Sequence, residues 1–61
     1  MENLSEKELS FIKDSLNEEQ LLVKKFQMLA EQSDDSDIKE KFNKISMQHQ
    51  GHFNELYSLL K

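Results

Sequence analysis

The sequence predicts an all-α protein: one antiparallel two-helix hairpin that pairs with a second copy to form a four-helix bundle. Three observations predict this fold. The 61 residues include no Pro and one Gly, and most of the others favour helices. Turn-forming residues are dense in one stretch only, residues 33–37. Apolar side chains recur at spacings of three and four residues on both sides of that stretch.

The start of the first helix is predicted by a capping pattern. Ser5 and Glu8 have the spacing of a capping box, in which each side chain bonds to the backbone amide of the other residue. Leu4 and Leu9 have the spacing of the apolar contact that accompanies such a box. We therefore expect the first helix over about residues 6–32.

The turn and the second helix follow from the cluster of Ser and Asp residues. We expect a loop at about residues 33–36 and a second helix over about residues 37–60, capped by one of the clustered side chains. Asp37 and Glu40 form a candidate second capping box. A loop this short makes the two helices antiparallel neighbours within a single domain.

Each predicted helix has one continuous face of the kind that packs against another helix. Its members are Leu9, Ile12, Leu16, Glu19, Val23, Phe26 and Ala30 on the first helix, and Ile38, Phe42, Ile45, His49, His52, Leu56 and Leu59 on the second. Only Glu19, His49 and His52 among them are ionisable. In an antiparallel hairpin Glu19 falls opposite His49, and His52 lies one turn beyond, opposite Leu16.

A single hairpin leaves this apolar face open to water. A chain of this size buries little apolar surface, and without Cys it has neither a disulfide nor a thiolate-bound metal to compensate. We therefore expect a homodimer in which two such faces close a shared core. Further apolar residues widen the face: Leu22, Leu29, Phe53 and Leu60. We expect Phe11, Leu21 and Met28 to point outward, either as scattered exposed apolar residues or as contacts in a higher oligomer.

Closing the bundle brings Glu19, His49 and His52 of both chains toward its centre. Buried carboxylates and imidazoles are costly unless they are paired or bind a metal. Two interpretations stay open. The three residues are ligands of a divalent metal such as iron, zinc or manganese, or they are a metal-free polar layer that fixes helix pairing in a structural or assembly protein.

Short patterns around these residues resemble a known superfamily. The first helix carries a Glu, an aromatic residue seven positions on and an Ala four further, and the second carries an aromatic-x-x-Ile-small pattern before two His residues. These positions are Glu19, Phe26 and Ala30, then Phe42, Ile45, Ser46, His49 and His52. The chain thereby resembles half of a rubrerythrin-type bundle of the ferritin-like superfamily. The chain is also similar to short spore coat proteins of the coat F type, through residues Glu19, Leu22, Phe26, His49 and Gln50.

The resemblance implies a carboxylate-bridged pair of metals, usually iron or manganese, inside the bundle. Glu19 would be the carboxylate ligand of the first helix and His52 the histidine ligand of the second. The chain departs from the pattern at His49, where the family has a bridging Glu. Imidazole suits zinc, cobalt, nickel, copper or ferrous iron. The departure therefore weighs against oxidase or peroxidase chemistry. If the protein is an enzyme, the resemblance implies a metal-dependent oxidoreductase of the ferritin-like, rubrerythrin type.

Charge and composition exclude other function classes. The net charge is −4 and the eight basic residues are all Lys, which disfavours nucleic-acid binding. No apolar run approaches the roughly 20 residues of a membrane span. No secretion signal is visible, so we expect a cytoplasmic protein, with the spore as the alternative. The sequence offers no nucleophile constellation or phosphate-binding loop. It therefore identifies no catalytic residue, organic cofactor or small-molecule substrate.

Overall fold

Two α-helices make up the part of the chain that the computed structural model describes, residues 4–60. α1 spans Glu6–Gln32 and α2 spans Ser36–Ser58. No strand occurs within residues 4–60, so the prediction of an all-α helical hairpin is confirmed. α1 has the bounds expected from the sequence. α2 begins one residue earlier and ends two residues earlier than expected.

The capping box at the start of α1 is present. The Glu8 backbone amide donates to Ser5 Oγ at 3.1 Å, and the Ser5 amide donates to Glu8 Oε1 at 3.0 Å. These bonds use two of the amides that a helix start leaves without partners. The bond from the Ser5 amide, followed by that from the Ser5 side chain, lowers the pKa of the Glu8 carboxyl below its ordinary value. The start of α1 is therefore fixed by local chemistry.

The cap of α2 is one of the clustered Ser and Asp side chains, as expected, but the candidate capping box at Asp37 and Glu40 was wrong. Asp35 is the N-cap, and its Oδ1 accepts from the amides of Asp37 at 2.9 Å and Ile38 at 3.0 Å. Its extended backbone (φ −93°, ψ 123°) turns the side chain back over the first helical turn. Asp37 thus lies inside the first turn, where its negative charge interacts favourably with the helix dipole.

A buried hydrogen bond joins the two helices near mid-length. Ser46 is 4% exposed, and its hydroxyl donates to the Val23 carbonyl oxygen at 3.0 Å. Extending the predicted Glu19–His49 layer by one turn toward the loop puts Ile45 opposite Val23, but Ile45 is only half-buried. One layer nearer the loop, the Phe26 and Phe42 rings pack with centroids 5.9 Å apart. The pairing of Phe26 with Phe42 confirms the antiparallel register.

The hairpin does not enclose a core of its own. Among the described residues, the buried apolar side chains are Ile12, Val23 and Ala30. The chain measures 47 × 14 × 10 Å, and its radius of gyration is 14.4 Å, against about 10.5 Å for a compact chain of this length. Within residues 4–60, neither helix combines the length and apolar character needed to cross a membrane.

Candidate metal centre

A carboxylate and two imidazoles meet at the contact between the helices. Glu19 lies near the middle of α1, and His49 and His52 lie one turn apart on α2. His49 Nδ1 is 2.6 Å from Glu19 Oε1, and His52 Nδ1 is 2.9 Å from Glu19 Oε2. The antiparallel packing therefore brings together all three residues that the sequence singled out. His52, expected opposite Leu16, reaches back to Glu19.

The three side chains differ in their contact with solvent. The Glu19 side chain is 14% exposed and that of His49 is 22% exposed. The His52 side chain is 56% exposed. The cluster therefore has a sheltered side, formed by Glu19 and His49, and an open side at His52.

Aromatic neighbours support the orientation of the imidazoles. Phe26 stacks on the His49 ring at a centroid distance of 5.8 Å and an interplanar angle of 15°. The His52 ring meets the His49 ring nearly at right angles, with centroids 5.6 Å apart. Since the Phe26 ring also packs on Phe42, it links the His49 ring to the apolar layer next to the cluster.

The charged and polar atoms of the cluster have partners without any metal. Carboxylate oxygens accept, so His49 donates its Nδ1–H to Glu19 Oε1, at the short separation of 2.6 Å that is typical of charged groups. His52 Nδ1 lies 2.9 Å from the other carboxylate oxygen, within ion-pair distance. Among the described residues, no buried side-chain nitrogen or oxygen lacks a partner. The arrangement is therefore stable in principle as a polar layer.

The same atoms can also hold a metal ion. Glu19, His49 and His52 each offer one ligand atom, and these atoms lie within 4.8 Å of one another. Two ligand atoms on a tetrahedral ion with bonds of about 2.1 Å lie about 3.4 Å apart. The contacts of Glu19 with His49 at 2.6 Å and with His52 at 2.9 Å therefore have to open for an ion to enter between them. The donor set is of a kind that binds a divalent ion, with the side chains moving apart by less than about 1 Å.

An open pocket adjoins the exposed side of the cluster. Its volume is about 370 Å³, and it is lined by His52, Glu55, Leu56 and Leu59. The two Leu residues belong to the apolar face predicted from the sequence. The pocket gives small molecules access to the His52 ring.

Sequence reasoning missed one residue that positions the cluster. Ser46 lies one turn before His49, and its partner Val23 lies one turn after Glu19. Its small side chain lets the helices approach closely at this point. Ser46 had been noted only as the small residue of the superfamily pattern. The sequence did contain a signal for its role. Ser46 is a small polar residue one turn from the candidate ligand His49, on the side that faces the other helix.

Comparison with family models, curated proteins and solved structures returned no match to this chain. The resemblance to the ferritin-like superfamily and to coat F type proteins therefore stays a prediction. So does the role of Glu19, His49 and His52 as metal ligands, which rests on their geometry alone.

Proposed function

We propose that this chain is a small homodimeric, ferritin-like helical bundle protein that binds a divalent metal through Glu19, His49 and His52. The observation that carries the proposal is the convergence of one carboxylate and two imidazoles from opposite helices, with ligand atoms within 4.8 Å of one another. The cytoplasmic location expected from the sequence, and the spore as its alternative, stay predictions.

Surface area supports the homodimer. The accessible surface of the single chain is 4999 Å², whereas a compact monomer of 7.2 kDa exposes about 4,100 Å². The excess is about 900 Å², close to the roughly 800 Å² that each partner buries in a typical stable interface. Apolar residues at both ends of α2 remain exposed, with Ile38 at 46% and Leu59 at 36%. A second hairpin laid on the open face removes this apolar surface from water.

The donor set narrows the choice of metal. Imidazole favours zinc, cobalt, nickel, copper and ferrous iron, whereas manganese and ferric iron favour oxygen ligands. Each chain supplies two imidazoles for one carboxylate. We therefore expect zinc or ferrous iron to bind more tightly than manganese.

Metal binding is tested by thermal unfolding of chelator-treated protein, with and without zinc, ferrous iron or manganese. A ligand that binds only the folded state adds about 2.7 kcal/mol of stability at a concentration of 100 times its Kd. We expect zinc to raise the melting temperature of the parent protein. If none of the three metals changes the melting temperature, the proposal fails.

Matched variants assign the effect to the cluster. Glu19→Gln and His52→Ala should abolish the zinc-dependent shift. Glu18→Gln and Gln48→Ala alter exposed neighbours of the cluster residues and should preserve it. An equal loss of the shift in Glu18→Gln and Glu19→Gln would point to nonspecific binding by acidic side chains.

The homodimer is tested by sedimentation equilibrium at micromolar protein concentration. We expect the mass of two chains for the parent. Leu56→Lys places a charge on the apolar face and should shift the protein toward the monomer. Leu21→Lys makes the same change on the outer face, where Leu21 is 67% exposed, and should leave the mass unchanged. A stable, folded single chain in the parent would contradict the proposal.

A second candidate function is that of a metal-free structural or assembly protein. The hydrogen bond from His49 and the ion-pair contact of His52 with Glu19 favour it, because they give the carboxylate partners without an ion. Replacing all three residues with Leu should then preserve or raise stability, as seen when buried ion pairs are replaced by apolar groups. Loss of folding in this triple variant, together with zinc stabilisation of the parent, would reject the candidate.

A further inference from the structure

We propose that the second hairpin lies antiparallel to the first, with the two loops at opposite ends of the bundle and each helix packed against its own copy. This inference rests on the homodimer of the proposed function and is independent of metal binding. It specifies the orientation of the second copy on the open apolar face and the charged residues that join the two chains.

Two arrangements stack the open faces of two hairpins with two-fold symmetry. If the symmetry axis runs along the helices, both loops lie at one end and α1 faces α2 of the partner. If the axis crosses the helices, the loops lie at opposite ends, and α1 faces α1 while α2 faces α2. The apolar face, residues 9–30 and 38–59, is centred near Glu19 and His49 in both cases. Apolar burial therefore does not choose between them, and the charges beside the face do.

Exposed charged side chains border the open face on α1. Lys25 lies one turn from Leu22 and from Leu29, which widen that face. Its Nζ lies 5.9 Å from the centroid of the Phe26 ring. Asp14 precedes Lys25 by eleven residues, about three helical turns, and so lies on the same edge of the helix. Both charged residues are exposed. This edge of α1 is therefore basic toward the loop and acidic toward the open end of the hairpin.

The same order of charges borders the open face on α2. Lys41 lies one turn from Ile38 and from Ile45, which belong to that face. Glu55 follows Lys41 by fourteen residues, about four turns, on the same edge of the helix. It lines a pocket together with Leu56 of the face. Both charged residues are exposed. The edge of α2 is therefore also basic toward the loop and acidic toward the open end.

Parallel hairpins would bring like charges together. Within one hairpin Phe26 packs on Phe42, so the preceding residues, Lys25 and Lys41, lie at the same height. With both loops at one end, Lys25 would face the partner's Lys41. Asp14 would lie near the partner's Glu55 in the same way. Facing charges of the same sign disfavour an arrangement strongly.

Reversing the partner about the centre of the face turns these contacts into attractive ones. On α1, Lys25 and Asp14 lie six and five residues from that centre, on opposite sides, so Lys25 meets the partner's Asp14. On α2, Lys41 and Glu55 lie eight and six residues from it, so Lys41 meets the partner's Glu55. Two-fold symmetry repeats each pair. Charge complementarity therefore selects the antiparallel dimer.

Chemical cross-linking tests the orientation. The chain has no Cys, so single Cys residues can be introduced by Ile38→Cys near the loop and Leu59→Cys at the open end. Both positions are exposed, at 46% and 36%, and tolerate the change. They lie about 30 Å apart along the helix axis. With a short bismaleimide, we expect cross-linked dimers from a co-refolded mixture of the two variants and almost none from either variant alone.

Sedimentation equilibrium of the parent separates the ways in which this test can fail. If the parent is a single chain, the proposed homodimer and this inference are both overturned. If the parent is a dimer and either Cys variant cross-links to itself as well as the mixture does, the antiparallel arrangement is overturned and the homodimer stands. A dimeric parent whose mixed variants do not cross-link has the same consequence.

Charge reversal tests the same arrangement without Cys. Lys25→Glu should raise the Kd of the dimer about 3- to 30-fold, because it removes two attractive contacts. Adding Asp14→Lys should restore the affinity. Lys24→Glu makes the same charge change beside Gln50, on the other side of the hairpin, and should leave the Kd unchanged. In parallel hairpins Lys25→Glu would face the partner's Lys41 and lower the Kd. That result, or equal effects of Lys25→Glu and Lys24→Glu, would overturn the inference.

Discussion

Substitutions at Ser46 test how closely the two helices approach beside the Glu19–His49 contact. The Ser46 residue is 4% exposed, and its hydroxyl donates to the Val23 carbonyl oxygen at 3.0 Å. Ser46→Ala removes the hydroxyl and leaves the space empty. Ser46→Val removes the hydroxyl and adds two methyl groups at the same place. The pair separates the contribution of the hydrogen bond from that of the close approach.

The expected magnitudes differ between the two variants. A hydrogen bond of this kind contributes about 0.5–1.5 kcal/mol net, and Ala recovers up to about 0.7 kcal/mol through its helix propensity. Ser46→Ala should therefore cost about 0–1 kcal/mol. Overpacking adds about 1–3 kcal/mol, and Val lacks the propensity gain. Ser46→Val should therefore cost about 2–4 kcal/mol.

The assay is urea unfolding followed by circular dichroism. All variants are compared at one protomer concentration, because the stability of a dimer depends on concentration. With a slope of about 1 kcal/mol/M, Ser46→Val should lower the midpoint by about 2–4 M and Ser46→Ala by no more than about 1 M. If Ser46→Val is as stable as Ser46→Ala, the helices are not in close contact here and the reasoning is refuted.

The same substitution should act on the candidate metal centre. Ser46 and Val23 each lie one turn from a member of the cluster, so a larger side chain at position 46 separates Glu19 from His49. We expect Ser46→Val to weaken zinc binding more than Ser46→Ala does. Each 1.4 kcal/mol of lost binding free energy corresponds to a tenfold higher Kd.

Two further predictions concern the helix starts. The pKa of Glu8 is lowered in the fold. Its capping bonds therefore stabilise the protein fully above the ordinary Glu pKa of about 4.3. This stabilisation is lost as the pH falls through the folded-state pKa. The melting temperature of Glu8→Gln, which cannot ionise, should therefore fall less steeply on acidification than that of the parent, and parallel curves would contradict this. Asp35→Ala should cost about 1 kcal/mol in urea unfolding through loss of the α2 cap. Asp37→Ala should cost less, and the reverse order would place the cap at Asp37.

Local features of the fold were predictable from the sequence. The capping box of Ser5 and Glu8 and the bounds of α1 depend on residues within one or two turns of each other. The cap of α2 could be narrowed only to the Ser and Asp residues of the turn, because their side chains offer the same chemistry. Only the backbone path between the helices decides that Asp35, and not Asp37, faces the free amides.

The sequence by itself determined the two helices and the layer that Glu19 shares with His49, because repeated spacing and short capping patterns encode both. Tertiary structure decided how α2 is rotated against α1. A straight helix drifts by about 20° per heptad from a strict seven-residue repeat, so the predicted face of α2 cannot keep one orientation toward α1 over three heptads. Ile38 and Leu59, at the two ends of that face, are both exposed. In the observed arrangement Ser46 is buried against the Val23 carbonyl. His52 Nδ1 lies 2.9 Å from Glu19 Oε2, while the His52 side chain stays 56% exposed to solvent.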